Sequence, residues 1–382
     1  MTDLNEALLD IAGGALELET PALVLDLDRF EANLETMRRY LRHQALALRP
    51  HTKTHKCLEI GRRQMAAGAV GLCCARIGEA EVFAGGGLPR LLLTAPVVGD
   101  RSRERLLALN ETLEELLVVV DHADAVAALT QLTAARPRSR QPVKPLRVLL
   151  DLDPGLHRTG MPLTEEALTL AQQIDAAPSL ELAGVQFYAG HLMHVSDFAE
   201  RQQRSLEALE TLAAFLETLE RVGLAAPIRS GGGTGTYDID PAAGVLTDLQ
   251  AGSYIFMDSQ YNRIEAATGS HRFLTSLYVQ TRVISCNHPG LATTDAGLKA
   301  FATDDRAPEI ASGGPQGASA FFFGDEQGGL RWDSGETVRP GAVLRAVTPH
   351  CDPTINLYDV LHVVRGDTLV DLWPIEARGR SA

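Results

Sequence analysis

Lysine is scarce in this chain: four of its 35 basic residues are lysine, and the others are arginine. Cysteine is also rare, with five residues at irregular spacing, which is not typical of a disulfide framework. A net charge of −14 argues against nucleic-acid binding, which needs a basic face. No apolar run reaches the roughly 18 residues of a membrane span, and the N-terminus is not typical of a signal peptide. These absences predict a reduced, cytoplasmic protein that binds neither nucleic acid nor membrane.

The remaining composition is that of a folded protein with a large core. The chain has 382 residues, of which 45% are hydrophobic. This length favours two domains, one of which can be a large barrel. Nine short apolar runs alternate with amphipathic segments, of which 30–41 and 198–222 have the clearest helical spacing. The alternation predicts a parallel sheet, and we expect a TIM-type (β/α)8 barrel with the first run paired outside it. The runs are 22–27, 45–48, 69–74, 90–93, 116–120, 146–152, 184–188, 227–229 and 249–254.

The pattern changes after residue 258. Residues 275–284, 341–346 and 359–364 are β-rich and are separated by turns, without a strong helical pattern. The sequence therefore predicts an α/β protein with a barrel at 29–258 and a mainly antiparallel β domain formed by 1–28 and 259–382.

Two of the four lysines, Lys53 and Lys56, lie in one short segment, although chance explains this clustering equally well. Lys53 follows the second run, at the end of a barrel strand where barrel enzymes place their active sites. A lysine can lose its proton and react as an amine, whereas arginine effectively cannot. Lys53 can thus form a Schiff base with a carbonyl cofactor.

A glycine-rich segment at 230–235 follows the eighth run. Consecutive glycines let backbone N–H groups approach an anion, and barrel enzymes often bind phosphate after late strands. The alternative is a simple turn. A second backbone cradle is expected at 252–254. The candidate residues of both loops are Ser230, Gly232, Gly233, Thr234, Gly235, Gly252, Ser253 and Tyr254.

His350 and Asp352 form a candidate metal pair in the β-rich region. Residues two apart on an extended chain face the same side, so both can reach one ion while Cys351 points away. A histidine with a carboxylate suits Mn²⁺, Mg²⁺ or Zn²⁺. Two protein ligands make an open site that water and substrate would complete; the alternative is an ordinary polar loop.

Other polar residues follow the ends of predicted strands. His191 and His194 come after the seventh run, and either can act as a general base. Arg158 follows the sixth run and can bind the phenolate or phosphate of a cofactor. We also expect Tyr188, at the end of the seventh run, among the cofactor contacts. A structural role explains each of these residues equally well when it is taken alone.

Taken together, these segments resemble the family of fold-type III pyridoxal-phosphate (PLP) enzymes that contains D-threonine aldolase and D-serine dehydratase-like proteins. The resemblance runs from about Thr20 to Gly379. It implies that Lys53 carries PLP, that Arg158 contacts the cofactor, and that His194 lies near the substrate hydroxyl. It also implies a phosphate cradle in the two glycine loops and a metal on His350 and Asp352. The carrying segments are TPALVLDLD at 20–28, RPHTKTHKC at 49–57, GLCCARIGEAE at 71–81, SGGGTGT at 230–236, LQAGSYIFMDSQY at 249–261, DAGLKA at 295–300 and HCDPTINLYD at 350–359.

The resemblance implies retro-aldol cleavage of D-3-hydroxy amino acids, for example of D-threonine to glycine and acetaldehyde, in a homodimer. A harder His-x-Asp pair favours Mn²⁺ or Mg²⁺ and an aldolase, whereas the related dehydratases carry a softer His-x-Cys pair that favours Zn²⁺. D-3-Hydroxyaspartate cleavage, D-serine or 3-hydroxyaspartate dehydration, racemisation and non-catalytic PLP buffering are the alternatives. The chain departs from the family at Gln327, where histidine is common, and at Ala75 and Arg76, where a Gln-Lys pair is expected.

Overall fold

Two β-sheets organise the molecule. The structure is a computed structural model that describes residues 3–135, 144–267 and 272–382. One sheet has eight parallel strands and the other has nine, most of them antiparallel. The expected α/β class, with a TIM-type barrel and a mainly antiparallel β region, is confirmed.

Strand β1 (Ala22–Asp26) belongs to the nine-stranded sheet, as the sequence predicts for the first run. Helix α1 (Leu27–Arg42) follows it directly and carries the chain to the barrel. The carboxylate of Asp26 accepts a hydrogen bond from the backbone N–H of Arg29 and caps the helix. The helical pattern at 30–41 is therefore confirmed and extended by one turn at its start.

The barrel contains the other eight apolar runs, in the strand order β2-β9-β8-β7-β6-β5-β4-β3. A parallel bridge between His51 and Cys73 joins the two ends of this order and closes the barrel. Its strands are β2 (Ala47–Leu48), β3 (Leu72–Cys74), β4 (Arg90–Leu93), β5 (Glu115–Val120), β6 (Leu146–Leu152), β7 (Leu180–Phe187), β8 (Ile228–Gly231) and β9 (Asp248–Leu249). Its helices are α2 (Leu58–Ala66), α3 (Ile77–Gly85), α4 (Asp100–Thr112), α5 (Ala123–Ala135), α6 (Glu165–Ala176) and α7 (Phe198–Arg221).

Burial on both faces explains why these strands read as continuous apolar runs. Leu117 and Val119 of β5 are buried inside the barrel, while the alternate residues Leu116 and Val118 pack beneath the helices. Gly184 of β7 permits a closer strand contact. A Cβ at this position would lie 1.9 Å from the carbonyl oxygen of Ile228, so no side chain fits there.

The nine-stranded sheet carries most of the chain after the barrel. Its central strands hold the order β10-β1-β16, in which β1 pairs antiparallel with β10 and parallel with β16. The elements after the barrel are α8 (Ser259–Asn262), β10 (Leu277–His288), β11 (Leu291–Thr294), β12 (Glu309–Ser312), β13 (Ser319–Phe322), β14 (Gly328–Arg331), β15 (Val343–Val347), α9 (Cys351–Ile355), β16 (Val360–Arg365) and β17 (Thr368–Pro374).

Two local predictions are wrong. The run 249–254 is not one strand, because β9 ends at Leu249 and a 3-10 turn forms at Ser253–Ile255. Residues 350–352 are not one extended segment, because His350 is the extended N-cap of the short helix α9. The buried carboxylate of Asp258 accepts the backbone N–H of Cys351 at 2.8 Å and stabilises this helix start.

The described residues also bear on cysteine pairing and on membrane-spanning helices. All five cysteines lie in the described residues and are free thiols. Among the helices described here, none is long and apolar enough to cross a membrane.

Candidate active site

A cavity of about 580 Å³ lies at the carboxyl ends of the barrel strands, a volume in the range of small-molecule sites. It brings together most of the site residues predicted from the sequence, although these come from distant parts of the chain. Those that line it are Lys53, Arg158, Tyr188, His194, Gly233, Thr234, Gly252, Ser253, His350 and Asp352.

Lys53 is presented by a tight 3-10 turn at Thr52–Thr54 that follows β2. The buried hydroxyl of Thr52 donates to the carbonyl of Cys73 at 2.8 Å and lies 2.9 Å from Glu79 Oε1. The backbone N–H of Lys53 donates to His51 Nδ1 at 3.3 Å. Because its neighbours are bonded into the barrel wall, the lysine side chain is left to extend into the cavity.

Lys53 forms an ion pair with Asp352. Their closest atoms, Lys53 Nζ and Asp352 Oδ1, are 3.4 Å apart. The negative charge of Asp352 raises the pKa of Lys53. Burial alone would raise the pKa of Asp352, but the positive charge of Lys53, and then His350 when it is protonated, lower it to about 2. Both members of the pair are therefore charged at neutral pH.

The side chains of His350 and Asp352 lie beside each other in the wall of the cavity. His350 Nε2 lies 3.9 Å from Asp352 Oδ2. Because metal–ligand bonds of about 2.0–2.2 Å allow two ligand atoms to be up to about 4.2 Å apart, one ion fits between them. Cys351 is fully buried in the core and is not among the described residues that line the cavity. The pair thus matches a His-carboxylate donor set even though the chain is not extended there.

No group of three or more His, Cys, Asp or Glu side chains is placed to hold a metal within the described part of the chain. A metal on this pair would therefore need water or substrate as further ligands, as in an open catalytic site.

His194 is the candidate base that faces the cavity. Its ring lies 4.7 Å from that of Tyr261, centroid to centroid. Burial lowers the pKa of His194, and His350 lowers it further when it is protonated, so the His194 imidazole is neutral at pH 7 and can accept a proton. His191, the other candidate, is not among the described lining residues.

Arg158 and Tyr188 lie together on one side of the cavity. The guanidinium carbon of Arg158 is 5.6 Å from the Tyr188 ring centroid, a cation–π distance. Arg76, which stands at one of the two departures from the family pattern, also lines the cavity and is exposed. The cavity thus holds three long cationic side chains, those of Lys53, Arg76 and Arg158, and the single carboxylate of Asp352 among its described lining residues.

The two glycine loops approach each other at the cavity floor. The hydroxyl of Thr234 accepts the backbone N–H of Tyr254 at 3.1 Å. A Cβ on Gly233 would lie 2.5 Å from Met193 Sδ, and one on Gly252 would lie 2.5 Å from Thr54 Oγ1. Both glycines line the cavity and neither has room for a Cβ, so backbone atoms rather than side chains border the cavity at these positions. Backbone of this kind fits a phosphate group.

The remaining predicted loop residues lie behind this surface. The hydroxyl of Ser230 is buried in the barrel and donates to Asp248. A Cβ on Gly232 would meet Asp240, and Gly235 packs against the backbone of Met193. The ring of Tyr254 is buried in the core. These residues shape the loops, and their side chains are not among the described groups that reach the cavity.

Sequence reasoning missed Arg201 of α7, which is 1% exposed. Its guanidinium donates to the backbone carbonyls of Gly235, Val195, Ser196 and Glu265. It therefore ties the glycine loop to the segment that carries His194. Nothing in its sequence surroundings identifies it, because it is one arginine on an amphipathic helix.

Asp304 was also missed. Its carboxylate Oδ2 lies 2.7 Å from His350 Nδ1. The only sequence signal available was its place in an Asp-Asp pair, which is common on protein surfaces.

Comparisons with known proteins agree with this architecture. Residues 25–260 match the family described as alanine racemase, N-terminal domain, and residues 276–364 match the putative serine dehydratase domain. D-threonine aldolase of Arthrobacter sp is 38% identical over 365 residues, which cover 95% of this chain and 94% of that protein. 3-Hydroxy-D-aspartate aldolase of Paracoccus denitrificans (strain Pd 1222) is 34% identical over 369 residues, covering 95% and 93%.

A solved structure extends the match to three dimensions. The crystal structure of D-threonine aldolase from Filomicrobium marinum aligns with a TM-score of 0.90 at 34% identity, covering 96% of this chain and 97% of that one. An alanine racemase from Clostridium difficile 630 shares the fold, with a TM-score of 0.72 at 13% identity. The chain therefore belongs to the fold-type III PLP enzyme family that includes D-threonine aldolase and 3-hydroxy-D-aspartate aldolase.

Proposed function

We propose that this chain is a carbon–carbon lyase that cleaves D-3-hydroxy amino acids to glycine and an aldehyde. The observation that carries the proposal is the shared cavity of Lys53, His194 and the His350–Asp352 pair. These residues supply a cofactor anchor, a neutral base and an imidazole–carboxylate metal pair within one cavity. D-threonine is the first substrate to test, because a D-threonine aldolase is among the relatives.

PLP bound to Lys53 would supply an electron sink for the bond that breaks. Its phosphate would lie on the backbone of the Gly233 and Gly252 loops, with Arg158 and Tyr188 as further contacts. A divalent metal held by His350 and Asp352 would supply Lewis-acid polarisation of a substrate hydroxyl.

His194 removes the proton of the substrate 3-hydroxyl. The lowered pKa of its imidazole keeps the acceptor nitrogen free at neutral pH. As the O–H bond breaks, the carbonyl of the aldehyde forms and the Cα–Cβ bond is released. The Cα carbon then takes up a proton and leaves as glycine, so the net products are one aldehyde and one glycine.

The donor set supports an aldolase over a dehydratase. Cys351 is fully buried, which leaves the harder oxygen of Asp352 beside His350. An imidazole–carboxylate pair favours Mn²⁺ or Mg²⁺ over the softer thiolate-bound Zn²⁺, although Zn²⁺ also fits.

Cleavage of D-3-hydroxyaspartate is the second candidate, and Arg76 favours it. This exposed arginine lines the cavity in addition to Arg158. A substrate with a second carboxylate would find in Arg76 a cation that threonine does not use.

Product analysis tests the proposal. The purified protein with PLP and Mn²⁺ is given D-threonine, and glycine plus acetaldehyde are measured beside 2-oxobutanoate plus ammonia. Glycine and acetaldehyde in equal amounts are the expected result. 2-Oxobutanoate would establish a dehydratase instead, and PLP binding without any product from D-threonine, D-3-hydroxyaspartate or D-serine would favour a PLP-buffering protein.

L-threonine is the control for the D-form, and alanine enantiomers are the control for racemisation. The ratio of kcat/KM for D-3-hydroxyaspartate and D-threonine ranks the two aldolase substrates. In the Arg76→Ala variant this ratio should fall, because only the hydroxyaspartate loses a charge partner.

We further propose a cytoplasmic homodimer with a barrel domain at 29–258 and a β domain formed by 1–28 and 259–382. The free thiols support the reducing compartment. The homodimer rests on the resemblance to the family, whose active sites commonly lie near a dimer interface. Light scattering after gel filtration measures the oligomeric state; a monomer with full activity would contradict this part of the proposal.

A further inference from the structure

The two ring nitrogens of His350 face two different carboxylates. Nε2 is directed towards Asp352 Oδ2 at 3.9 Å, while Nδ1 lies 2.7 Å from Asp304 Oδ2. The Asp304 contact has the length of a charge-assisted hydrogen bond, whereas the Asp352 contact is long enough to admit a metal ion. Asp304 is 46 residues away from His350 in the sequence and is not among the described residues that line the cavity.

We propose that Asp304 is the positioning residue of the metal site. Its carboxylate accepts the Nδ1–H of His350 and thereby keeps the lone pair on Nε2, the nitrogen that faces Asp352. A neutral histidine binds metal only through the nitrogen that carries no proton, so the partner of the other nitrogen decides which one can bind. The inference rests on the proposed metal role of His350 and Asp352.

The loop that carries Asp304 is bonded to the helix that begins after His350. The hydroxyl of the buried Thr354 donates to the carbonyl of His350 at 2.7 Å and accepts the backbone N–H of Ala302 at 3.0 Å. Thr354 thus links the backbone of His350, the proposed metal ligand, to the backbone of Ala302, two residues before Asp304.

A second tie lies on the other side of Asp304. Asp305 forms an ion pair with Arg263, just after α8. The Asp304 side chain is itself 50% exposed, so burial does not fix its position. The buried Thr354 bonds therefore account for most of the placement of this carboxylate beside His350, and the partly exposed Asp305–Arg263 pair adds little to it.

Removal of such a carboxylate leaves the imidazole free to rotate or to exchange tautomers. Loss of an outer-shell partner of this kind weakens metal affinity by about 10–100-fold in metalloenzymes. PLP attachment and folding should be unaffected, since Asp304 is half-exposed and is not among the residues around Lys53.

The test is a titration of the PLP-loaded enzyme with Mn²⁺, in which free Mn²⁺ is counted by electron paramagnetic resonance. Asp304→Ala should raise the Kd for Mn²⁺ by about 10–100-fold. Asp304→Asn should have a smaller effect, because its amide oxygen still accepts the Nδ1–H. The cofactor absorption band and the melting temperature should match those of the wild type in both variants.

Asp305→Asn is the matched control, since it removes a neighbouring carboxylate and the anchor to Arg263. The Kd should then change by no more than about fivefold, as expected for a partly exposed ion pair. Equal weakening in Asp304→Ala and Asp305→Asn would overturn the positioning role in favour of general charge or loop placement. A strong effect of His350→Ala with none for Asp304→Ala would overturn the positioning role alone. If neither His350→Ala nor Asp304→Ala changed the Kd, the metal pair of the proposed function would be wrong as well.

Discussion

Lys53 Nζ lies 3.4 Å from Asp352 Oδ1, and this contact joins the barrel to the segment that carries the metal pair. The other carboxylate oxygen, Oδ2, faces His350. The Asp352 carboxylate therefore contacts the cofactor anchor with one oxygen and faces the other metal ligand with the second oxygen. A D-3-hydroxy amino acid carries its amino and hydroxyl groups on adjacent carbon atoms, so one substrate can present both groups to this part of the cavity. The arrangement suits a substrate whose amine lies on the Lys53 side and whose hydroxyl lies beside His350.

Replacement of Lys53 tests the cofactor anchor. Lys53→Ala should abolish covalent PLP attachment and its visible absorption band, because a methyl group offers no amine. Borohydride reduction of the wild type followed by peptide mapping should place the cofactor on the Lys53 peptide. The chain has only four lysines, so the assignment is direct. Lys299→Ala, which removes an exposed lysine paired with Glu326, should keep the band. A band that survives in Lys53→Ala would contradict the assignment.

Replacement of His350 tests the metal pair separately from the cofactor. His350→Ala should abolish the stimulation of activity by Mn²⁺ while the PLP absorption band remains, because His350 is not bonded to the turn that carries Lys53. Activity is measured after chelation and after Mn²⁺ is added back.

His122 and Asp124 provide a control with the same sequence spacing. They form a solvent-exposed pair at 3.5 Å on the barrel surface. His122→Ala should respond to Mn²⁺ as the wild type does. Full activity of the wild type after chelation would remove the metal from the proposed function.

His194 is expected to govern kcat rather than KM. His194→Phe keeps a ring against Tyr261 but cannot accept a proton, so kcat should fall by about 10²–10⁴-fold. KM should change by a much smaller factor. His191→Phe is the matched control, since His191 is three residues away and does not belong to the described cavity lining. Equal losses in the two variants would show that His194 acts only through packing.

Most of the fold could be predicted from the sequence, because the patterns that indicate its strands and helices are local. The runs at 90–93 and 146–152 coincide with β4 and β6, since strands buried on both faces consist mostly of apolar residues. The helix at 198–222 was placed within one residue of the end of α7. Lys53 stood out because lysine is otherwise rare here, and its position after a strand is also a local property.

The features that the sequence did not predict depend on contacts between residues that are far apart in the chain. The helix α9 replaced the expected extended segment because Asp258, 93 residues earlier, accepts the N–H of Cys351. Arg201 binds carbonyls on three separate segments, and Asp304 meets His350 across 46 residues. Each of these residues has an ordinary sequence environment, so its role becomes visible only when the tertiary structure brings its partners to it.

Arg201 is expected to stabilise the loops around the cavity. Arg201→Ala leaves several carbonyls without a charged donor and opens a cavity, which should lower the free energy of unfolding by about 3 kcal/mol. Urea unfolding followed by circular dichroism measures the loss. Arg204→Ala is the control on the same helix, because Arg204 forms an exposed pair with Glu200, and it should cost less than about 1 kcal/mol. Equal stability of the two variants would contradict the role of Arg201.

Asp151 is expected to make stability depend on pH. Its carboxyl is 3% exposed inside the barrel, and this burial raises its pKa from 3.8 to about 6, although Gln186 donates to it at 2.8 Å. A carboxyl whose pKa is higher in the folded state favours folding when protonated, so its contribution is greatest below about pH 4 and is lost as pH rises through 6. Asp151→Asn removes this proton equilibrium and keeps an acceptor for Gln186. The free energy of unfolding of the variant relative to the wild type should rise between about pH 4 and pH 7. Above about pH 7 the difference should be about 3 kcal/mol. Unfolding free energies measured in urea from about pH 4 to pH 8 should show the difference widening up to about pH 7 and then staying level. A difference that is constant from about pH 5 upwards would mean that the carboxyl of Asp151 is already ionised there in the folded protein.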